Sequence, residues 1–335
     1  MNPLSDALSA AGYANAWAYL ALFFVASLLM IWRLEALLDH GLEGTALGTL
    51  VMPYCSGLGN LIFVALTAQR DRGGAEVLTN CLVNNVTNLT LLLGLPALFW
   101  GLRLGRGKAG ARKKSAARSA ATVEQHVSRL SILLTLGAVL VFASITWALA
   151  ADGMLDASDG LVLVALFLFW QGFQVFDVMK HNLRQRVRFG ARFAIDVALV
   201  LAGAYGLYVS LDWLVAWLMA QEGGFISAKN LGWLSGWLMV LPNAVIAFFY
   251  AARRRADIAY ASQVGDGHIC IPLCVGLAAL LHPIAVPEFF ATGLTILAAA
   301  ALAHAFCLLA SDGLPRWMGW PLLAAYAWFL AAGLM

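Results

Sequence analysis

The stretch CSGLGN at residues 55–60 recurs in altered form as MVLPN at residues 239–243. Both stretches lie in apolar runs, and each ends on an asparagine, Asn60 or Asn243, where an apolar residue is expected. A buried amide needs a hydrogen-bond partner inside the protein, because it has no water to bond with. The two stretches therefore predict a buried polar centre that is assembled from two copies of one motif.

Each stretch leads, through a short arginine-bearing turn, to a second apolar helix with a polar cluster near its start. The cluster reads NNVTN at residues 84–88 in the first copy and GDGH at residues 265–268 in the second. Gly- and Pro-interrupted apolar segments at corresponding positions in two halves of a membrane protein indicate a binding site near the bilayer midplane.

The composition indicates a helical membrane protein. Of 335 residues, 62% are hydrophobic and 12% are charged, and the mean hydropathy is +0.81. A soluble domain carries about 25% charged residues. Apolar runs of about 20 residues recur along the chain, which is the length that a membrane-crossing helix needs. They lack the alternation of transmembrane β-strands, so a β-barrel is excluded.

The apolar runs predict about ten spans, at residues 16–38, 45–68, 77–101, 129–150, 160–180, 191–218, 231–252, 263–282, 285–310 and 316–335. This arrangement places 18 of the 21 Lys and Arg residues on one side of the membrane. By the positive-inside rule that side is cytoplasmic, so both termini face outward. We expect an integral protein of the bacterial inner (plasma) membrane, with the lipid bilayer as its surroundings.

The spacing of the two copies predicts an inverted repeat. Five spans separate equivalent positions, and an odd number turns the second copy upside down in the membrane. The predicted fold is an all-α polytopic membrane protein of about ten transmembrane helices in two inverted five-helix repeats. Its parts are a first half at 1–128 with motif 45–100, spans at 129–190 that complete the first repeat, and a second repeat at 191–335 with motif 226–282.

The segment 102–128 is the longest stretch without an apolar run, and it is rich in Lys, Arg, Ala, Gly and Ser. We interpret it as a cytoplasmic linker whose charges hold the topology in place. An alternative role is the attraction of anionic lipid headgroups, worth ~1 kcal/mol per basic residue.

At these motifs the chain resembles the cation/calcium exchanger superfamily, which includes the sodium/calcium exchangers. Each of the two inverted repeats of that family has a first helix reading roughly G-T-S-x-P-E and a second reading G-S-N-x-x-(N/D). The matching segments here are 55–60 and 83–88 in the first copy, and 238–243 and 265–270 in the second. The resemblance implies an exchanger fold and a secondary transport activity, such as antiport, with no enzymatic activity and no cofactor.

Departures from the family pattern fall on the ligand positions. The family glutamate that binds calcium and shares in sodium binding corresponds to Asn60 and Asn243. The Thr-Ser pair of the family becomes Ser56-Gly57 in the first copy and Met239-Val240 in the second. Carried onto this chain, the second-helix ligand positions fall on Asn84 and Asn88 in the first copy and on Asp266 and Cys270 in the second.

These departures disfavour calcium as the substrate. Calcium takes six to eight oxygens with carboxylates among them, and two neutral amides do not offset its charge. Amide oxygens, a serine hydroxyl and backbone carbonyls suit a monovalent cation better. The residues predicted to bind the ion are Ser56, Asn60, Asn84, Asn88, Asn243 and Asp266.

Asp266 has two interpretations. A carboxylate at the bilayer centre costs ~2.5–3.5 kcal/mol on insertion scales, so it needs a cation, a proton or a partner. His268, two residues on, is a possible proton relay. Alternatively, Asp266 caps the start of a helix and faces the basic surface.

The other polar and sulfur residues leave alternatives open. An alternative to lining the site is that the asparagines serve as interhelical glue, because amides bond across membrane helices. The five cysteines lie in predicted spans and are interpreted as buried thiols; a soft-metal site is the alternative. We predict no metal site.

Two further functional alternatives remain beside transport. A degenerate exchanger fold that serves as a non-transporting scaffold or assembly subunit explains the altered second copy. A lipid-modifying enzyme is disfavoured, because no Ser/His/Asp set, paired carboxylates or phosphate-binding glycine loop is present. The expected partner is a monovalent cation or a proton, with no nucleic acid.

Overall fold

Apolar helices account for most of the described chain, as the lengths of the predicted spans require. The computed structural model describes residues 12–38, 52–70, 74–104, 115–182 and 190–335. Within these ranges, nine helices are long and apolar enough to cross a membrane, and Gly57–Gln69 forms a shorter apolar helix. The chain is an all-α integral membrane protein, and the prediction of about ten membrane helices is confirmed.

The helices are numbered in chain order. The first half contains α1 (Gly12–Leu38), α2 (Met52–Gln69), α3 (Ala75–Leu89), α4 (Leu91–Trp100), α5 (Ser115–Leu149) and α6 (Ala157–Asn182). The second half contains α7 (Ala191–Met219), α8 (Leu231–Ala252), α9 (Ala256–Gly265), α10 (Gly267–Ile269), a π-helix (Cys270–Val275), α11 (Gly276–Leu281), α12 (Phe290–Ser311) and α13 (Gly319–Leu334). Short 3₁₀ turns cover Ala150–Asp152, Ala228–Asn230 and Arg316–Met318.

Two small antiparallel bridges join helix ends that are distant in sequence. β1 (Leu102–Arg103) pairs with β4 (Gly313–Leu314), and β2 (Met154–Leu155) pairs with β3 (Ile284–Ala285). Each strand is two residues long. The bridges satisfy backbone groups where the chain leaves one helix for the next.

Three predicted boundaries differ from the structure. The span predicted to begin at residue 263 begins at Ala256. The span predicted to begin at residue 285 begins at Phe290, because Ile284 and Ala285 pair in β3. Part of the predicted linker is helical, since α5 begins at Ser115. The stretch SAARSAA explains the helical start, because alanine is the strongest helix former.

Helices α3 and α8 come from different copies of the motif and pack closely through two glycines of α8. A Cβ atom at Gly232 would lie 2.6 Å from Cβ of Thr79, and one at Gly236 would lie 2.7 Å from Cβ of Val83. Small residues let membrane helices approach at this separation. The contact brings the polar residues of the two copies together.

Helices α1 and α7 form a second close pair. Nη1 of Arg33 lies 3.1 Å from Oδ1 of Asp196, and the rings of Tyr19 and Trp213 stack with centroids 4.4 Å apart. The charge of Arg33 is therefore neutralised by an ion pair with Asp196. An ionised group in a membrane helix is stabilised by a partner of this kind.

Candidate functional site

Asp266 lies within the polar cluster and is fully buried. Its Oδ2 accepts a hydrogen bond from Nδ2 of Asn88 at 3.1 Å and a second, shorter one from Nδ2 of Asn243. Asn88 belongs to α3 and Asn243 to α8, so the carboxylate connects the two copies of the motif. The interpretation of Asp266 as a helix cap that faces the basic surface is wrong: the residue precedes the single turn α10, but its side chain makes no cap hydrogen bond and is buried.

The backbone around Asp266 departs from regular α-helical geometry. Helix α9 ends at Gly265, α10 makes a single turn, and the π-helix that follows contains Pro272. Proline has no N–H, and its ring clashes with the carbonyl four residues earlier, which disrupts an α-helix. A π-turn accommodates such a disruption and is frequent at functional sites.

The second helix of the first copy is interrupted as well. It divides at Thr90, between α3 and α4, where the hydroxyl of Thr90 bonds to the carbonyl of Val86 at 2.5 Å. Nε2 of His304 donates to the carbonyl of Leu89 at 2.7 Å, and Nδ1 lies 3.1 Å from the hydroxyl of Tyr260. His304 is therefore a buried residue whose two ring nitrogens both lie within hydrogen-bond distance of other groups.

A chain of amides runs from the first copy to Asp266. Nδ2 of Asn88 also donates to Oδ1 of Asn84 at 2.9 Å. The two residues are one helical turn apart and therefore share a face of α3. Four of the predicted ion-binding residues, Asn84, Asn88, Asn243 and Asp266, thus form one hydrogen-bonded cluster.

Several buried amide atoms near this cluster have no hydrogen-bond partner among the described residues. They are both side-chain polar atoms of Asn60, Nδ2 of Asn84, Oδ1 of Asn88 and Oε1 of Gln263. Each of these residues is at most 1% exposed. An unsatisfied buried polar atom costs about 1–3 kcal/mol, so such atoms point to a bound water, an ion or a functional role.

A small cavity adjoins Asn243. Its volume is about 10 Å³, which is close to the minimum that one water molecule needs. It is lined by Asn243 together with Phe23, Ser27, Ile31, Gly59, Leu207, Met239 and Pro242. It contacts helices of both copies and has polar groups from Ser27 and Asn243 on its wall.

Two predicted site residues, Ser56 and His268, are not among the residues of the hydrogen-bonded cluster. The side chain of Ser56 lies outside the described part of the chain. The ring of His268 packs against Trp170 and Phe142, with centroids 5.1 and 6.1 Å away, and its Nε2 has no hydrogen-bond partner within the described ranges. The role of His268 as a proton relay therefore stays a prediction.

The structure adds two amides that the sequence prediction omitted. Nε2 of Gln263 donates to the backbone carbonyl of Asn243 at 3.1 Å, and Nδ2 of Asn80 donates to Oγ of Ser235 at 2.9 Å. Helical spacing carries the signal for both residues. Gln263 precedes Asp266 by three residues, and Asn80 precedes Asn84 by four.

Four cysteines are free and buried, namely Cys81, Cys270, Cys274 and Cys307, which confirms the interpretation as thiols for these residues. In the described parts of the chain, no group of three or more His, Cys, Asp or Glu side chains is placed to hold a metal ion. The side chain of Cys55 lies outside these parts.

Comparison with known proteins gives the following relatives. Residues 14–176 match the model of the family described as sodium/calcium exchanger protein. The fold matches structures of the sodium-calcium exchanger NCX_Mj. One, soaked with 2.5 mM Na⁺ and 10 mM Sr²⁺, has a TM-score of 0.67 and 18% identity, over 95% of this chain and 98% of that one.

A second structure of NCX_Mj, soaked without Na⁺ and Ca²⁺, has a TM-score of 0.65 and 16% identity, over 95% of this chain and 98% of the other. A comparison with curated protein sequences finds no match. At such low identity the structural likeness establishes the fold and leaves the chemistry of the site to its own residues.

The described helices and their packing define a polytopic membrane protein with the exchanger fold. Residues 14–176 are thus similar to the sodium/calcium exchanger family, and the whole chain has the fold of the sodium-calcium exchanger NCX_Mj. The second copy of the motif lies outside the residues that the family model matches.

Proposed function

We propose that this protein is a secondary transporter that moves a monovalent cation or a proton rather than calcium. The observation that carries this proposal is the placement of Asp266, a buried carboxylate that accepts bonds from amides of both copies of the motif. One negative charge balances one positive charge. A divalent ion bound there would keep an uncompensated charge in a medium of low dielectric constant.

The amides supply the remaining ligands in this proposal. An asparagine carries one carbonyl oxygen and two N–H donors, so rotation of its terminal group exchanges one for the other. Turned in this way, Asn88 and Asn243 would present oxygens to a cation held by Asp266. Alternatively, Asp266 would bind a proton, and the proton would be the transported ion.

The unpartnered atoms of Asn60 and Asn84 extend this ligand set. Asn60 lies on α2, which contacts both α9 and the π-helix of the second copy. Ser56 remains a proposed ligand on the same helix, and His268 a proposed relay. With the two copies in inverted orientation, the ion would be exposed to one side of the membrane at a time.

We further propose the bacterial inner membrane as the location, with both termini outward. The division of Lys and Arg supports this orientation, because 18 of 21 fall on the side assigned to the cytoplasm. The acidic turn near Asp152 and Asp156 then lies outside.

Flux into proteoliposomes tests the transport proposal. The unaltered protein is expected to move Na⁺, K⁺ or H⁺ down an imposed gradient. Asp266→Asn should lower the flux about 30-fold or more, because losing one partner of a buried charge pair costs about 2–5 kcal/mol. Asp257→Asn is the matched control, since this carboxylate lies on the same helix α9 but is exposed and pairs with Arg255.

Two outcomes would overturn the proposal. The first is the absence of flux for every cation tested in folded protein. The second is a flux that Asp266→Asn and Asp257→Asn leave equally unchanged. Thermal unfolding of each purified variant confirms that it is folded before its flux is interpreted.

A non-transporting scaffold is the second candidate, and Met239 favours it. A Cβ atom at Gly59 would overlap the sulfur of Met239, so this side chain fills the space between α2 and α8. Met239 stands where the family pattern has a polar residue. If Asn60→Ala with Asn243→Ala preserves the cellular phenotype while charge reversals in 102–128 abolish it, the scaffold is the better account.

A further inference from the structure

A second site lies at the basic end of the molecule, apart from the central cluster. A cavity of about 550 Å³ opens where α4, α8 and the turn before α13 come together. Three arginines line it, Arg103, Arg254 and Arg316, and two tryptophans, Trp100 and Trp317, complete its wall. All three arginines belong to the group of basic residues that the charge division assigns to one membrane surface.

The backbone fixes each of the three arginines in a defined element. Arg103 lies in β1 and pairs in register with Gly313. Arg316 begins the 3₁₀ turn that precedes α13. Arg254 follows the end of α8 in left-handed conformation, with φ of 60°, which is unfavourable for a residue other than glycine, asparagine or aspartate. The surrounding fold therefore holds Arg254 in place at some cost in backbone energy.

Nearby carboxylates are engaged by other arginines. Asp312 pairs with Arg129 at 2.5 Å, and Asp257 pairs with Arg255 at 3.1 Å. Within the described ranges, no ion pair involves the three arginines of the cavity. Three guanidinium groups thus share one concave surface without a neutralising partner among the described residues, which is the arrangement that binds a phosphate group.

The aromatic surroundings indicate the source of that phosphate. Trp317 is 63% exposed, and the neighbouring Trp320 and Phe99 are 69% and 61% exposed. Tryptophan side chains of this kind lie at the level of lipid headgroups. We propose that the cavity binds the phosphate group of an anionic phospholipid at the basic membrane surface.

Lipid-dependent thermal unfolding of the purified full chain tests this assignment. In detergent, dioleoylphosphatidylglycerol is expected to raise Tm more than dioleoylphosphatidylcholine does. The double variant Arg254→Asn with Arg316→Gln should weaken this binding, by about fivefold for each arginine. Asparagine is chosen at residue 254 because it tolerates the left-handed conformation.

The matched control is the double variant Arg253→Asn with Arg255→Gln, which removes the same charge and whose two residues flank Arg254. Arg253 instead covers the ring of Phe249 at 3.9 Å, and Arg255 pairs with Asp257. The control should keep the affinity of the unaltered protein for phosphatidylglycerol. Equal losses in both double variants would overturn the site and leave only a general attraction of anionic lipid to basic charge.

Inorganic phosphate and pyrophosphate form the second arm of the experiment. The lipid assignment predicts that millimolar concentrations of either ion raise Tm little and compete weakly with phosphatidylglycerol. A full stabilisation by the soluble ions, lost in the Arg254/Arg316 variant, would overturn the lipid as the occupant. Comparable stabilisation by phosphatidylcholine would overturn the requirement for an anion. Circular dichroism of both double variants in the absence of lipid verifies that they are folded.

Discussion

The two copies of the repeated motif contribute different chemical groups to the central site. The first copy contributes neutral amides, Asn84 and Asn88, and the second contributes the carboxylate of Asp266. Both second helices depart from regular α-helix at one pair of corresponding positions, Thr90 and Pro272, and the second copy has a further turn at Asp266. Thr90 follows Asn84 by six residues, and Pro272 follows Asp266 by six. The backbone break is therefore common to both copies, whereas the side chains beside it have diverged.

The devices that produce the break also differ. In the first copy, Thr90 and His304 bond to the carbonyls of Val86 and Leu89. In the second copy, Pro272 removes a donor and the backbone widens into a π-helix. Different side chains can thus maintain one backbone feature, which indicates that the feature is what the fold retains.

Restoring carboxylates is the strongest way to break this asymmetry. Asn60→Glu with Asn243→Glu puts acidic groups at the positions where the family pattern has glutamate. Because residue 243 contacts Asp266, a glutamate at position 243 and the carboxylate of Asp266 repel each other unless a cation lies between them. Calcium at 100 times its Kd should then stabilise the variant by about 2.7 kcal/mol.

Thermal unfolding and ⁴⁵Ca uptake measure this effect. The matched control is Asn60→Gln with Asn243→Gln, which adds the same length without charge. A variant that unfolds at the same temperature with and without calcium would show that the second copy no longer supports a divalent site.

The contact between α3 and α8 provides a smaller test. Gly236→Ala should destabilise the protein by about 1–3 kcal/mol, since overpacking forces neighbouring helices apart. The added methyl group would meet Val83, with the two carbons 2.7 Å apart. Gly137→Ala is the control, because no atom lies within 4 Å of the added group. Denaturation in mixed micelles compares the two, and equal stability would contradict a close contact.

Loss of the hydrogen bond between Tyr260 and His304, which lies beside the break at Thr90, should lower the stability less. Tyr260→Phe removes the hydroxyl that bonds to His304 and leaves the bond from His304 to Leu89 intact. The expected loss is about 0.5–1.5 kcal/mol, the usual contribution of one neutral hydrogen bond. Phe290→Leu, on the same helix as His304, serves as a control for packing changes alone. A loss above this range would mean that His304 itself has moved.

The smallest effect concerns a carboxylate in water. The hydroxyl of Ser158 and the backbone N–H groups of Ser158 and Asp159 all donate hydrogen bonds to the carboxylate of Asp156. These bonds hold the pKa of Asp156 below its ordinary value, and the Ser158 hydroxyl contributes most. A lowered pKa adds stability above the pKa of the unfolded chain, about 4, and this stability is lost as pH falls through the folded value. Ser158→Ala should raise the pKa of Asp156, as ¹³C NMR of the carboxyl carbon can measure. An unchanged pKa would exclude this hydrogen bond in solution.

The architecture could be predicted because the lengths of the apolar segments and the distribution of Lys and Arg are read directly from the sequence. Sequence patterns also identified the four residues of the hydrogen-bonded cluster, because polar groups in apolar helices stand out. The π-helix was not predictable, since Pro272 alone does not distinguish a kink from a change of helix type. The pairing of Arg33 with Asp196 was not predicted from the sequence, because the two residues are 163 positions apart along the chain.

The interrupted helices have a mechanical consequence. A continuous helix of about 26 residues is a stiff rod roughly 39 Å long, and tilting one end of it moves the other. Sharp bends in helices fall where the regular hydrogen-bond ladder is interrupted, as at a proline or a π-bulge. We therefore expect any bending of these two helices to occur at Thr90 and Pro272, beside the buried carboxylate, rather than at the membrane surfaces.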